Sequence, residues 1–189
     1  AEVLAPIAEY PEIQFSLKMR LGWENASECM VLVELLNTLR LSRIALHART
    51  GKQQYKGHPD LEAFQGFYEL CQHPLYYNGG IESLSDIRQI LIRFPLLKGV
   101  FIGRGLLSSP LLAKEFKGNE TFLPEQRMSI YFAFHEELFS AYSQVLQGET
   151  QLLVKMKTLW EYFLPETDRK LLKRIKKSTR LQQYTESVK

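Results

Sequence analysis

Four short strand-like segments dominate the first part of this 189-residue chain, and each stops on a polar or glycine-rich position. The segments SLKMR, RIALH, LYYNGG and FIGRG place Lys18, His47, Asn78 and the pair Gly103 and Arg104 at their ends. Successive ends lie 29, 31 and 25 residues apart, which is the length of one strand, one helix and two short loops. This repeat predicts a (β/α) barrel arrangement, in which functional residues lie at the carboxyl ends of the strands.

The repeat ends near residue 117, whereas a complete eightfold barrel takes about 250 residues. The sequence therefore predicts an α/β fold in which residues 1–117 form the carboxyl-terminal half of a TIM (β/α)8 barrel. Four strands cut from a barrel leave two edges with unpaired backbone groups, so we expect another segment to cover them. The missing amino-terminal half is expected from a longer parent polypeptide or from a second copy, and the absence of a starting Met favours the first.

Residues 118–189 lack strand signals and predict an all-α helical-bundle domain. Three helices are expected, from about Pro124 to Gln147, from Thr150 to Phe163 and from Glu166 to Tyr184. Aromatic and apolar residues recur along the first helix, and we interpret this stripe as core. Its members are Tyr131, Phe132, Phe134, Leu138, Phe139 and Tyr142.

Basic charge collects at the carboxyl end of the chain. Residues 155–189 hold ten Lys or Arg against four Asp or Glu, while residues 1–154 hold fourteen against seventeen. Such a cluster is the kind that phosphate backbones select, although a solvated helix face has the same composition. The candidate RNA-binding residues are Lys173, Arg174, Lys176, Lys177 and Arg180, with Lys170 beside them.

Two glycine turns are the best candidates for an anion site. Asn78-Gly79-Gly80 and Gly103-Arg104 follow adjacent strands, and glycines let backbone N–H groups approach a phosphate closely. Ser108-Ser109-Pro110 is expected to open a short helix just after the second turn. In barrels the last two strands commonly carry the phosphate site, so these strands are taken as the fifth to eighth. The alternative interpretation is that these glycines only allow the chain to turn between a strand and the next helix.

Composition also limits the class of protein and the compartment in which it is expected. No apolar run reaches the roughly 18 residues that cross a membrane, and no secretory signal precedes the first helix, so we expect a cytoplasmic protein. Cys29 and Cys71 both fall within predicted helices, which suggests neither a disulfide framework nor a metal site.

The motifs SLKMRLGW, LHARTGKQQYKG, YYNGGIES and GVFIGRG, in this order and spacing, closely resemble the tRNA dihydrouridine synthase family over about residues 14–113. The helical extension with a basic end also resembles the tRNA-binding domain of that family. The resemblance implies an oxidoreductase that uses FMN, reduced by NADPH, to convert uridine in tRNA to dihydrouridine. The family's proton-donor cysteine lies in the amino-terminal half, so the chain is expected to be a fragment that is inactive alone.

By the same resemblance, the FMN-binding residues are Lys18 and His47 together with the residues of the two glycine turns. Lys18 would lie beside the flavin ring on the inner side of its strand, and a lysine paired to a carboxylate is the alternative. His47 would contact flavin or uracil, or would simply cap its strand. Arg49 is assigned to RNA or flavin contact, with a surface ion pair as the alternative. The turn residues are Asn78, Gly79, Gly80, Gly103 and Arg104, and many family members carry Asp where Gly80 stands.

Two other functions stay open on these residues. One is a different FMN-dependent barrel oxidoreductase that acts on a small molecule. The other is a non-catalytic RNA-binding module. The basic helical extension argues against the first, and separate titrations with tRNA and with FMN would discriminate the second.

Overall fold

The computed structural model describes residues 4–164 and 167–188, and the chain divides into two compact units, Ala1–Gly103 and Arg104–Lys189. The first unit alternates helices and strands. Its elements are α1 (Ala5–Glu9), β1 (Phe15–Arg20), α2 (Glu28–Asn37), β2 (Leu41–His47), α3 (Leu61–Leu70), β3 (Leu75–Asn78), α4 (Leu84–Arg93) and β4 (Gly99–Phe101).

The four strands form one parallel sheet in the order β1-β2-β3-β4. Each strand pairs with the next one along the chain, and a helix connects every pair, because parallel neighbours need a crossover of a dozen or more residues. The predicted parallel sheet with alternating helices is confirmed. Its place in half of a closed barrel stays a prediction.

One face of the sheet forms the core of the first unit. Ile44, Leu46 and Tyr77 point to this face and are almost fully buried. The ring of Phe64 on α3 lies 4.9 Å from the ring of Tyr77 in an edge-on contact. Buried residues of α2, α3 and α4 complete this core, as the alternation of apolar and polar residues along the strands predicts.

The opposite face, here called the polar face, carries the alternate residues of each strand. Ser16, Lys18 and Arg43 on it are exposed. Because the strands are parallel and in register, its side chains lie in rows across the sheet. The row that ends the strands is Arg20, His47, Asn78 and Phe101, and the row before it is Lys18, Ala45, Tyr76 and Gly99.

The helices begin where short polar side chains cap them. The Asp60 carboxylate accepts a hydrogen bond from the Ala63 amide at 2.9 Å and starts α3. Ser83 and Asp86 form a reciprocal capping box at the start of α4. These caps fix the return of the chain after β2 and β3, and so place the loops that follow those strands.

The second unit contains only helices within its described residues. They are α5 (Arg104–Ser108), α6 (Leu112–Gly118), α7 (Pro124–Val145), α8 (Glu149–Leu159), α9 (Arg169–Lys177) and α10 (Leu181–Val188). Their core gathers Met156, Phe163 and Ile175, with Tyr131 from the predicted aromatic stripe. Phe134, Leu138, Phe139 and Tyr142 pack against this core, while Phe132 of the same stripe is exposed.

A hydrogen-bonded chain of three buried side chains links α7, the end of α8 and α10. The indole Nε1 of Trp160 donates to the Tyr184 hydroxyl at 2.9 Å, and that hydroxyl lies 2.6 Å from Nε2 of His135. Because the indole can only donate, the Tyr184 hydroxyl accepts from Trp160, and its own proton is available to donate to Nε2 of His135. Burial lowers the pKa of His135 and raises the pKa of Tyr184 to about 12, so both groups are neutral at pH 7.

The structure differs from the sequence prediction at three places in this region. The expected helix from Glu166 to Tyr184 is two helices, because Ser178 leaves the helical conformation and its hydroxyl donates to the Ile175 carbonyl at 2.6 Å. Glu166 itself lies outside the described residues. Ser108 ends α5 through a hydrogen bond to the Arg104 carbonyl, and α6 begins only at Leu112.

The third difference concerns where the units divide. The compact units separate between Gly103 and Arg104, earlier than the boundary at residue 117 that the sequence predicts. Leu111, just before α6, is buried in the helical core, and the buried Glu115 forms an ion pair with Arg127 of α7. These contacts join α6 to the helices that follow it. The division into a flavin-binding part and an RNA-binding part stays a prediction.

Within residues 4–164 and 167–188, every helix is too short or too polar to cross a bilayer.

Candidate active site at the carboxyl ends of the strands

The last row of the polar face brings together side chains from all four strands. The register aligns Arg20 with His47, His47 with Asn78, and Asn78 with Phe101. The Asn78 side-chain amide donates to the Phe101 carbonyl at 2.8 Å and ties the ends of β3 and β4 together. The predicted site residues of the first three strands therefore lie at one edge of one sheet.

Lys18 lies one row before this edge, beside Ala45 in the register. It is on the polar face, where the alternation of β1 predicts it, and its side chain is exposed. Its neighbour in the register, Ala45, is small, and the place of the Lys18 ammonium beside a flavin ring stays a prediction.

His47 and Arg49 form a buried pair at the end of β2. Only 5% of His47 and 4% of Arg49 are exposed, and Nη1 of Arg49 lies 3.3 Å from Nε2 of His47. A guanidinium has no acceptor, so Arg49 donates and Nε2 accepts. This contact favours the neutral tautomer of His47 with its proton on Nδ1.

Arg49 also donates to the Gly57 carbonyl at 3.0 Å and thereby holds the loop between β2 and α3. The side chain thus lies beside His47, as expected, but it faces the loop backbone. Contact of Arg49 with RNA or flavin stays a prediction.

Arg20 is a site residue that the sequence reasoning missed. Its Nη1 donates to the carbonyls of Thr50 at 2.7 Å and Gln54 at 3.0 Å, and its guanidinium carbon lies 5.6 Å from the centre of the Tyr55 ring. The Tyr55 ring lies 6.3 Å from the ring of His47. A signal was available, because Arg20 follows Lys18 by one strand repeat and so shares its face.

The Asn78-Gly79-Gly80 turn requires both of its glycines. Gly79 has φ of +142° and Gly80 has φ of +59°, values that residues with a side chain rarely adopt. A methyl group at Gly80 would lie 2.9 Å from Cγ of Pro59. At Gly79, it would lie 3.4 Å from Cδ2 of His47. The turn therefore packs its backbone against the loop that Arg49 holds.

Gly103 and Arg104 differ from this turn. A methyl group at Gly103 would meet no atom within 4 Å, so space is open above its α-carbon. Arg104 is the first residue of α5, a helix of five residues, and belongs to the second compact unit. The predicted pairing of Arg104 with the Gly79-Gly80 turn stays a prediction.

The cysteines lie away from the polar face. Cys29 is buried on α2, where its Sγ lies 3.3 Å from the Ala26 carbonyl, and Cys71 follows α3. Burial raises the pKa of both thiols. In the described part of the chain, no group of three His, Cys, Asp or Glu residues is arranged to hold a metal.

The predicted RNA-binding residues lie on and just after α9. Lys173, Arg174, Lys176 and Lys177 are exposed, while Ile175 and Ser178 face the core. Arg180 is exposed in the segment before α10. Arg174 also donates to the Ser187 carbonyl at 3.3 Å, which joins α9 to α10. The second unit therefore exposes a basic surface, formed by these Lys and Arg side chains, to solvent.

This parallel sheet carries cationic side chains and a glycine turn at the carboxyl ends of its strands. Such an arrangement is typical of α/β proteins that bind ligands at that edge. The model of the family described as dihydrouridine synthase (Dus) matches residues 2–188. The chain belongs to the dihydrouridine synthase family.

Several relatives that carry the name of this family match part of the chain. A probable tRNA-dihydrouridine synthase of Rhizobium leguminosarum bv. phaseoli is 34% identical over 100 residues, covering 52% of this chain and 31% of the relative. One of Aquifex aeolicus (strain VF5) is 35% identical over 105 residues, covering 56% and 33%. The tRNA-dihydrouridine(16) synthase of Haemophilus ducreyi is 30% identical over 105 residues, covering 55% and 32%. The chain thus spans about a third of the length of these relatives.

Proposed function

We propose that this chain is the FMN-binding and RNA-binding part of a tRNA-dihydrouridine synthase, which reduces uridine in tRNA to dihydrouridine. One observation carries the proposal. Lys18 near the end of β1, His47 at the end of β2 and the Gly79-Gly80 turn after β3 all lie toward the same edge of one parallel sheet. Family membership supplies the reaction class.

The residues at this edge fit a flavin mononucleotide. Both glycines of the Gly79-Gly80 turn have positive φ and no side chain, so their backbone can approach a phosphate closely, and open space lies above Gly103. These backbone groups would hold the phosphate, with Arg104 as the charged partner that the sequence predicts. Lys18 and Arg20 make this side of the polar face positive, which favours an anionic ligand.

When bound, FMN that NADPH has reduced supplies the hydride that C6 of uracil accepts. Lys18 would stabilise negative charge at this site electrostatically, because it is an exposed cation on the polar face, one row before the strand ends. The Arg49 contact orients His47, and the neutral ring can donate from Nδ1. The proton for C5 is assigned to a cysteine outside this chain, since Cys29 and Cys71 lie in the helix layer.

The second unit would hold the tRNA. Lys173, Lys176 and Lys177 would contact phosphates, together with Arg174 and Arg180, and would give a salt-dependent grip with little sequence preference. A uridine stacked inside folded tRNA cannot reach a site at a barrel mouth, so the target nucleotide has to be extruded into it.

The rest of the barrel would complete the site. Because the matched segments cover about a third of the relatives, the proposal places the proton donor and the other flavin-binding residues in an amino-terminal half. That half would come from the same polypeptide or from a second copy. The 189-residue chain alone is then expected to show weak or no catalysis.

Separate titrations of the 189-residue chain with FMN and with tRNA test the proposal. Binding of both, with tRNA affinity that falls steeply with salt, is the expected result. Flavin binding without RNA binding would instead favour a small-molecule oxidoreductase, and RNA binding without flavin would favour a non-catalytic module.

Variants assign the two sites. Lys18→Met should weaken FMN binding, whereas Lys56→Met, at an exposed lysine of the β2–α3 loop, should not. Lys173→Gln with Lys177→Gln should lower the salt slope of tRNA binding by about one per lost phosphate contact. Dihydrouridine formation should appear when the chain is produced with its amino-terminal half, and should be read by mass spectrometry of the tRNA.

A further inference from the structure

Trp23 is a large aromatic side chain that the proposed function leaves without a role. It follows β1 at the same edge of the sheet as the site, and 66% of it is exposed. Trp160, the other tryptophan of the chain, is 3% exposed in the helical core. An indole combines a large apolar face with a polar N–H, which is the combination enriched at binding interfaces.

The backbone of Trp23 is held from both sides. Its N–H donates to the Glu28 carboxylate at 2.8 Å, and its carbonyl accepts from the Lys52 amide at 2.9 Å. One residue earlier, the Gly22 carbonyl accepts from the Gly51 amide at 2.7 Å. The parallel pairing of β1 and β2 thus continues beyond the strands and fixes Trp23 against the β2–α3 loop.

The indole ring itself is seated on a glycine. A methyl group at Gly51 would lie 2.3 Å from Cε3 of Trp23, so the ring occupies the space that any larger residue would fill. The rest of the ring is exposed. A flat ring held in one place loses little conformational entropy when a ligand stacks on it.

The residues around Trp23 favour a nucleobase over a protein as the ligand of its ring. Glu24, Asn25 and Lys52 beside it are polar and exposed, and Lys52 forms an ion pair with Glu24 at 2.5 Å. An isolated ring in a polar rim lacks the contiguous apolar area of a protein docking surface. It matches the stacking platforms on which proteins hold single nucleobases.

We infer that Trp23 stacks on an unpaired base of the RNA strand next to the target uridine. The inference rests on the proposed function, since it takes RNA as the ligand of this edge of the sheet. It adds a specific contact outside the flavin and uracil subsites. Stacking of this kind is tolerant of base identity, so Trp23 would position the strand and leave the choice of base to other groups.

Iodide quenching of tryptophan emission tests the inference in the 189-residue chain. Iodide should quench Trp23 and spare the buried Trp160, and saturating tRNA should protect Trp23 from iodide. Trp23→Ala should weaken tRNA binding by about 5- to 100-fold, while Trp23→Phe should retain most of the affinity. Ile92→Ala, at an exposed apolar residue of α4, is the matched control and should leave binding unchanged.

The possible failures separate the two proposals. Salt-dependent tRNA binding without protection of Trp23 would refute the stacking contact and leave the proposed function standing. Absence of any tRNA binding would overturn both. If Trp23 in the protein with its amino-terminal half is already shielded from iodide before RNA is added, another part of the barrel covers it and the inference is wrong. The protection measurement needs no variant, so it decides the matter even if Trp23→Ala fails to fold.

Discussion

Gly80→Ala should destabilise the first unit by about 1–3 kcal/mol. The φ of +59° at Gly80 lies in the left-handed region, where an L-residue with a side chain costs roughly 1–2 kcal/mol. The added methyl group would also lie 2.9 Å from Cγ of Pro59, and this overlap forces the β2–α3 loop to shift. The two costs add because the backbone strain is present whatever the loop does.

Urea unfolding followed by circular dichroism measures this loss. With a slope of about 2 kcal/mol per M for a small unit, the midpoint should fall by about 0.5–1.5 M. Gly103→Ala is the control, because a methyl group there meets no atom within 4 Å and its φ is not positive. The control should stay within about 0.5 kcal/mol of the parent protein. Equal midpoints for Gly80→Ala and the parent, or an equal loss in Gly103→Ala, would refute the reasoning.

Three further predictions concern charged groups. Burial lowers the pKa of His135 below the ordinary 6.5, so the unfolded chain takes up a proton that the folded chain refuses, and stability should fall as pH drops below about 6.5. Glu115→Ala should cost about 1–3 kcal/mol, since it leaves the guanidinium of Arg127 without its buried carboxylate. Hydrogen bonds from the amides of Asn25, Trp23 and Glu24 lower the pKa of Glu28 below 4.5, so the β1–α2 loop should loosen as pH falls through that lowered value.

Each of these has a direct measurement. Urea midpoints at pH 5 and pH 7.5 should differ in the parent and converge in His135→Gln, and an unchanged difference would contradict the assignment to His135. Glu120→Gln removes an exposed ion pair with Lys114 and should cost less than about 0.5 kcal/mol. A loss as large as that of Glu115→Ala would show that burial is not the cause. Trp23 emission against pH follows the Glu28 loop, and Glu28→Gln should abolish its transition.

The strands were predictable because their signals are local. Alternation in β1 and the run that ends at Asn78 gave both the element and the face of each side chain. The parallel order followed from spacing, since a helix fits between successive strands. The spacing therefore assigns Lys18 and His47 to the same side of the sheet, although β1 continues past Lys18 to Arg20.

Other features depend on contacts that no local pattern encodes. Arg49 reads as an exposed loop residue, yet the carbonyl of Gly57 and the ring of His47 bury it. The break between α9 and α10 depends on Ser178, whose carbonyl accepts a hydrogen bond from Lys157 of α8 at 2.9 Å. A serine within a polar run carries no signal of that partner. The compact units divide after Gly103 for the same reason, because Leu111 and Glu115 contact residues that lie further along the chain.

The loop between β2 and α3 owes its shape to a few inward contacts. Arg20 and Arg49 hold its carbonyls, and the Gln53 amide donates to the carbonyls of Lys56 and His58, both at 2.9 Å. The outward side chains of Lys56 and His58 take no part in those contacts. Mutation at these two outward positions can therefore change what the loop contacts without changing the course of its backbone.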